Sequence, residues 1–516
     1  MEREAITEGT TTVRVAAGSA NRPRGEELFR AAREPESSVA SAAVGSTGIE
    51  GLEPLVAATL DGETAFFARC STDRVRSVAA ALGDGTLPTD GATAVVEHEP
   101  RVATLPTPED GPLAVGDRVV LGGCGWRRPT SVDDYQAVRS PVAPSVDRSR
   151  EATARIDEAG LRGRGRGDVA ADAPVVEHWE AVAAADGDPI VVVNANEADP
   201  RAAADRLLLE SDPLVALDPA LAAAVALDAT DIVVYVNETE TLAHRRVRAA
   251  ADALADELRM DVPIRIVAGP DEYKTGEPTM ALEAIEGNHR IEARRGPPGP
   301  SEHGVDGRPT LVHTPRTFAQ VGRVLAGEDM TGASSDPGTR LFTVAGDVDA
   351  PATVELSTGA TLDAALPAVE TVEGRKAACV GGVFGGLTRS LDVPASAPGL
   401  ESARLGTNGV VELLGESTCM VALAGSRATF AREENCGRCV PCREGSTQLV
   451  GLLRDVYDGE FADGMLRELL RVVRETSLCE FGRDAARPVT TAMEAFETEF
   501  TAHAAGRCPA GTCNRS

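Results

Sequence analysis

Lysine is almost absent from this chain: Lys274 and Lys376 are the only two in 516 residues. Arginine supplies nearly all of the 51 basic side chains, which face 80 acidic ones, for a formal charge of −29. Such a chain repels polyanions, so nucleic acid and anionic lipid are excluded as general partners. Aromatic residues are also scarce, at 3%. An acidic shell over cores of small apolar residues suits a salt-rich interior, where screening removes the self-repulsion, and we read a salt-loving microbial source from it. No apolar run approaches the length that spans a bilayer. The opening MEREAITEGTTTVRVAAG has no apolar stretch of the secretory kind. The expectation is a cytoplasmic protein whose association with any membrane runs through partners. Internal repeats and low-complexity tracts are missing as well, and the length calls for several domains.

What the chain does hold is cysteine in a pattern. Ten are present, and they argue for a reducing compartment rather than a disulfide framework. Cys436, Cys439 and Cys442 fall at two-residue intervals in ENCGRCVPCREGSTQ, and Cys479 follows in SLCEFGRDAARPV. A cubane [4Fe–4S] cluster needs one thiolate per iron, and a C-x2-C-x2-C loop reaches three corners while a distant cysteine supplies the fourth. Tetrahedral zinc is the rival, although it favours two separate cysteine pairs. Cys508 and Cys513 in the terminal CPAGTC are either a free-thiol tail or part of a metal site completed from elsewhere; Cys124 and Cys379 read as packed thiols.

In chain order, residues 1–37 read as a flexible lead-in and 38–117 as a small α/β unit, a degenerate thioredoxin-like or docking domain whose lone Cys70 cannot hold a two-iron cluster. Residues 118–335 alternate helices with apolar strands, Pro189 to Val193, Asp231 to Val236 and Pro263 to Val267, as in a Rossmann-like parallel sheet. The first of these strands delivers NANEADP at its carboxyl end, where open α/β sheets place ligands. Before it, GLRGRGRGD (160–168) combines glycines with arginines. That composition suits an anion, and it is also common in plain loops. Residues 294–300 read as an ordered loop lining a cleft, and GASSDPGTR as a flexible joint. Residues 336–425 show the short strands of a β-grasp unit, with VVELLGESTCMVALA as a strand pair. Residues 426–505 read as a helical bundle around the cysteines, and 506–516 as a cysteine-containing tail.

With these motifs in place, the segment from about Gly125 to Phe500 resembles the flavin-bearing, NADH-oxidising subunit of respiratory complex I and the equivalent subunits of NAD-linked hydrogenases and formate dehydrogenases. ENCGRCVPCREG and SLCEFGRDAARPV are similar to the family's cluster motif, NANEADPRAAADR to its flavin segment, and EYKTGEPTMALEAIEG to its flavin-contacting turn and helix. The resemblance implies an α/β multidomain fold with an FMN domain, an SLBB-like β-grasp domain and an iron–sulfur helical domain. It implies hydride transfer from NAD(H) to FMN, then single electrons to a [4Fe–4S] cluster and on to a partner. Gly163 and Gly165 would line the flavin and nucleotide, Asn194, Asn196 and Glu197 would bind FMN, Gly276 and Glu277 would sit beside the ring, and Asp199 would face the nicotinamide. Asp199 and Glu277 are the candidate catalytic acids, and Cys436, Cys439, Cys442 and Cys479 the cluster ligands. The implied partners are a small thioredoxin-like iron–sulfur subunit and a larger iron–sulfur, hydrogenase, formate dehydrogenase or complex I-like subunit.

The departures from the family pattern fall around the nucleotide loop: Arg166 and Asp168 enter it, His178 precedes Trp179, Pro278 follows Glu277, Gly299 stands where an aromatic would stack, and His313-Thr314 replaces paired asparagines. They leave a second reading in which the chain keeps its cluster for electron transfer or assembly without oxidising NADH.

Overall fold

The computed structural model describes residues 11–34, 39–147, 150–372 and 374–513. The first sheet is built from β1 (Thr11–Ala16), β2 (Ala40–Val44), β3 (Leu55–Leu60), β4 (Glu63–Ala68) and β5 (Ala94–Glu97), with helices α1 (Arg22–Ala32) and α2 (Thr72–Gly83). Its order is β2-β1-β3-β4-β5, β1 lying parallel to β2 and antiparallel to β3. A strand at Thr11–Ala16 inside the sheet corrects the expectation of a flexible lead-in over 1–37 and moves the start of this unit before residue 38. The polar residues of TTVRVA disguise the strand. Thr12 and Arg14 are buried, and the Arg14 guanidinium donates to Thr12 Oγ1 at 2.5 Å and to the Trp126 carbonyl at 3.1 Å while lying 3.7 Å from the Trp126 ring centroid. Residues 1–10 and 35–37 of the supposed lead-in lie outside the described residues.

The central layer runs through α3 (Val132–Gln136), α4 (Glu151–Ala159), α5 (Val175–Ala184), β6 (Ile190–Ala195), α6 (Ala204–Ser211), α7 (Leu214–Ala226), β7 (Asp231–Asn237), α8 (Thr241–Leu258), β8 (Ile264–Gly269), α9 (Pro278–Ile285), β9 (Thr310–His313) and α10 (Pro315–Leu325). All four strands are parallel, in the order β8-β7-β6-β9. β6 is apolar throughout because both its faces are covered. Val191, Val193 and Ala195 pack with Leu217, Leu221 and Phe318, whereas Ile190 and Val192 pack with Leu282 and Ile285. Strand order reverses at β6, since β7 lies on one side and β9 on the other, and its carboxyl end is therefore a crevice.

Next come β10 (Gly332–Ala333), β11 (Asp336–Pro337), β12 (Thr339–Gly346), β13 (Ala352–Ser357), β14 (Arg375–Val380), β15 (Gly386–Thr388), α11 (Ala397–Ser402) and β16 (Val410–Gly415). The sheet order β13-β12-β16-β14-β15, with β12 and β16 parallel, is a β-grasp arrangement. The segment read as a flexible joint is a pinned hairpin. Buried Asp336 pairs with Arg340 and Arg164, each at 2.7 Å, so charge rather than apolar packing fixes it.

The final layer holds α12 (Met420–Glu434), α13 (Val440–Asp455), α14 (Asp463–Thr476), α15 (Glu480–Asp484), α16 (Arg487–Ala495) and α17 (Glu497–Ala504). The expected strand pair at VVELLGESTCMVALA is one strand followed by a helix, because Cys419 caps α12 by accepting from the Ala422 amide at 3.4 Å. Leu449 and Leu453 of α13 pack with Leu466, Leu470 and Val473 of α14. Each buried leucine contributes about 1.5–3 kcal/mol, enough to hold the bundle around its loops. Among the described residues no helix is long and apolar enough to cross a membrane.

Candidate functional site

The four pattern cysteines come together through helix ends. Cys436 follows α12, in a turn where Asn435 Oδ1 accepts from the Gly437 amide at 2.9 Å. Cys439 is the N-cap of α13, Cys442 lies in its first turn and Cys479 is the N-cap of α15. Helix N-termini present free amides and a partial positive charge, which favours thiolates there. Gly482 permits the approach: a Cβ on it would lie 2.5 Å from the Ser477 Cβ and 3.2 Å from that of Cys442. Burial and the neighbouring Cys439, Cys479 and Cys436 charges push the Cys442 thiol well above its ordinary value. Burial, then Glu277, pushes Cys479 up to about 12. Thiols raised in this way at Cys442 and Cys479, with Cys436 and Cys439 beside them, suit a shared cationic centre that coordinates all four.

An aromatic box abuts these cysteines. Tyr273, Phe384, Phe430 and Phe481 meet edge to face with ring centroids 5.1–5.7 Å apart, in one apolar cluster with Cys442, Cys439 and Cys479. On its other side Arg166 lies 3.8 Å from the Tyr273 ring centroid and donates to the Tyr273 carbonyl at 2.7 Å. The box thus connects the cysteines to the glycine-rich loop, a link that no local spacing announces.

At the carboxyl end of β6 the sequence candidates converge. Asn194 Nδ2 donates to the carbonyls of Gly167 at 2.9 Å and Gly276 at 3.1 Å, fastening the glycine-rich loop to the turn before α9. Asn196 donates to Tyr235 Oη and the Pro270 carbonyl, each at 3.1 Å, and to Thr275 Oγ1 at 3.0 Å, and accepts from Asn237. Glu197 accepts from the Asp205 amide at 2.9 Å and pairs with Arg316 at 3.1 Å. Gly163 cannot carry a side chain, since its Cβ would lie 2.2 Å from the Ala170 carbonyl oxygen, and Gly165 adopts a φ of +83°. A Cβ on Gly276 would lie 2.5 Å from the Asn196 carbonyl oxygen and 2.7 Å from Arg166 Nη2.

The two candidate catalytic acids have structural partners. Asp199 Oδ2 accepts from the Val383 amide at 2.8 Å, joining the β6 loop to the β-grasp unit. Glu277 caps α9 by accepting from the Met280 amide at 2.9 Å, and burial raises its carboxyl. Asp199, Glu197, Glu240, Arg206, Tyr273 and Phe430 are among the residues lining a cleft of about 310 Å³. Burial, then Asp205, raises Glu197 to about 7, and burial, then Glu197, raises Glu240 to about 9. A second space, about 180 Å³, lies between Gly165, Arg166, Tyr273, Gly381 and Glu480. The loop at 294–300 borders a third cleft of about 770 Å³ through Arg294, Arg295 and Pro298. Arg438 of the cysteine motif also lines that cleft and donates to the Ala293 carbonyl at 2.8 Å. A Cβ on Gly299 would meet nothing within 4 Å.

Spacing alone does not reveal the charged frame behind the loop. Arg316 pairs with Asp205 at 2.7 Å as well as with Glu197. Asp168 accepts from the Ala170 amide at 2.7 Å and bonds His313 Nδ1 at 2.8 Å. The Trp179 indole N–H donates to His313 Nε2 at 3.1 Å. An indole only donates, so His313 carries its proton on Nδ1 and gives it to Asp168. His178 Nε2 accepts from the Val312 amide at 3.0 Å, and burial, then His313, lowers this imidazole to about 3. Of the residues flagged as departures, Asp168, His178 and His313 therefore belong to one network in which the Asp168 charge is met internally.

Comparison with known proteins fits this geometry. Residues 156–323 match the Nuo51 FMN-binding domain, and residues 422–503 match the NADH-ubiquinone oxidoreductase-F iron-sulfur binding region. The chain is 31% identical over 401 residues to the second F-type component of NADH-quinone oxidoreductase in Rhizobium meliloti, covering 73% of this chain and 93% of that protein. It is 30% identical over 402 residues to the F component of NADH-quinone oxidoreductase in Streptomyces coelicolor, covering 73% and 88%. The chain belongs to this F-type family of NADH-quinone oxidoreductase components. The F-type chain is also 29% identical over 425 residues to HndC, a component of the NADP-reducing hydrogenase of Solidesulfovibrio fructosivorans, covering 77% and 85%. Its fold matches a chain of the NAD+-reducing [NiFe]-hydrogenase in the H2-reduced state with a TM-score of 0.65 at 23% identity, over 96% of this chain and 84% of that one.

Proposed function

We propose that this protein is the electron-input subunit of an NAD(P)H:acceptor oxidoreductase, taking hydride from NADH onto FMN and passing single electrons through a [4Fe–4S] cluster to a partner. FMN supplies the chemistry of accepting two electrons together and releasing them singly. The observation that carries the reading is the continuity from Gly165 and Arg166, through the aromatic box on Tyr273, to Cys442. The residues fit both groups. Arg166 Nη1 is buried without a hydrogen-bond partner beside the glycine-rich loop, an unmet donor suited to an anionic cofactor. Four convergent thiols suit the cluster.

In this reading Gly163 and Gly165 let the backbone approach FMN, and Asn194, Asn196 and Glu197 hold the crevice open at the end of β6. Gly276 and Glu277 flank the ring, and Asp199 lies on the nicotinamide side, where its bond to Val383 sets the wall of the cleft. Cys436, Cys439, Cys442 and Cys479 ligate the cluster. Residues 118–335, 336–425 and 426–505 act as flavin, β-grasp and cluster units, followed by the tail at 506–516. The partners are a small thioredoxin-like iron–sulfur subunit and a larger iron–sulfur, hydrogenase, formate dehydrogenase or complex I-like subunit. The acidic shell supports a salt-rich cytoplasm as the working medium.

The test is an anaerobic absorbance spectrum in high salt before and after NADH. A flavin band that bleaches on addition is the expected result. A cluster absorbance that never responds, even after FMN is supplied, would overturn the dehydrogenase reading and leave cluster-only electron transfer.

A further inference from the structure

A second group of metal-ligating side chains lies away from the cluster. Cys419 Sγ, a nitrogen of His503, Cys508 Sγ and Cys513 Sγ all lie within 4.8 Å of one another, with Cys419 and His503 buried. Cys419 Sγ and His503 Nε2 are 3.1 Å apart. A single tetrahedral ion with bonds of roughly 2.0–2.3 Å places its donors about 3.3–3.8 Å apart, so one ion fits this group. The donors come from three places that only the fold unites: the N-cap of α12, the last turn of α17 and the terminal CPAGTC turn.

We propose that Cys419, His503, Cys508 and Cys513 form a closed structural zinc site that clasps the C-terminal tail onto the helical domain. Three sulfurs and one imidazole, with no donor left for solvent, are the composition of a structural rather than a catalytic centre. The turn is closed by the Gly511 amide, which donates to the Cys508 carbonyl at 3.1 Å and brings the two tail sulfurs to one side. The Tyr457 ring supports the site from the side, 5.0 Å from the His503 ring centroid, with its hydroxyl 3.8 Å from Cys513 Sγ.

The placement gives the clasp a purpose. α12 starts at the zinc group and ends beside Cys436, and α13 starts at Cys439 and ends beside Tyr457. The 15 residues of α12 separate its two ends by about 22 Å at 1.5 Å per residue. Zinc fixes the far end of α12, and Tyr457, packed on His503, ties the far end of α13 to it; the near ends of these two helices hold three cluster thiolates. The ion therefore steadies the cluster domain without touching the electron path.

The experiment measures zinc, iron and acid-labile sulfide in the full-length protein purified anaerobically and passed through chelator-containing gel filtration. One zinc per chain is expected in the wild type. The double variant Cys508→Ser/Cys513→Ser should lose it while keeping its iron and sulfide, and Cys439→Ala should show the reverse. His503→Cys replaces one zinc ligand by another and should retain the ion, which separates ligand loss from misfolding. X-ray absorption at the zinc edge of the wild type should report three sulfurs and one nitrogen. Wild-type protein free of zinc, zinc retained at full level by the double variant, or an oxygen-dominated shell would each overturn the proposal.

Discussion

The two ends of the proposed electron path are held by different physics. At the cluster end three of the candidate ligands sit on helix caps or a first turn and Cys436 in the turn after α12, the surroundings are aromatic and apolar, and three of the four cysteines lie within one short stretch. At the flavin end the loop is held by buried charges that come from distant segments: Asp168 with His313, Arg316 with Glu197 and Asp205, and Arg164 with Asp336. The first end is a local design whose failure removes a ligand. The second is a distributed frame whose failure leaves a buried charge without its partner, and that costs more than the pair contributes when intact.

The largest effect should come at the cluster. Cys439→Ala or Cys479→Ala leaves three thiolates for a cubane, and nearly all iron and sulfide should be lost from the purified protein. Full retention by both variants would remove the assignment. At the flavin end, Arg316→Met strips the partner from two buried carboxylates. A loss of about 3–5 kcal/mol is expected, seen as a lower denaturant midpoint at unchanged slope. A change within error would mean that the frame does not bear on stability.

His178 gives the comparison a pH dependence. Its imidazole is near 3 when folded and about 6.5 when unfolded, so the unfolded chain binds the extra proton between those values. Stability is fully present above about pH 6.5 and falls as pH drops toward 3. His178→Gln keeps an acceptor for the Val312 amide but does not titrate. Its melting temperature should fall less steeply over that window than the wild type's, and parallel curves would contradict the assignment.

Much of the cluster end was legible in the sequence because its information is local. A two-residue spacing and a helical period are both readable within a few turns of chain, and so was the apolar run of β6 with its carboxyl-end asparagines. The flavin frame was not, since nothing near Asp168 points to His313 and nothing near Glu197 points to Arg316. β1 escaped for a related reason: its polar Thr12 and Arg14 find partners only once β3 and Trp126 are in place. Cys508 and Cys513 were visible as a pair, but Cys419, read as part of a strand, and His503 joined them only through the packing of α12 against α17. Spacing shows sites built from one segment, and it is blind to those closed by long-range contacts.

Glu277 sits where the two ends meet, and it provides the smallest and sharpest test. Its carboxylate caps α9 through the Met280 amide, and its charge is felt at Cys479. Glu277→Gln preserves the capping acceptor and removes only the charge, so the fold should be unaffected. A cluster beside one less negative charge accepts an electron more readily. Its midpoint potential should move positive by about 40 mV, equivalent to ~1 kcal/mol for one electron. If the same side chain flanks the flavin, the variant should also lose FMN faster on desalting. A shifted potential with unchanged flavin retention would assign Glu277 to the cluster end alone, and an unshifted potential with weakened flavin would assign it to the other.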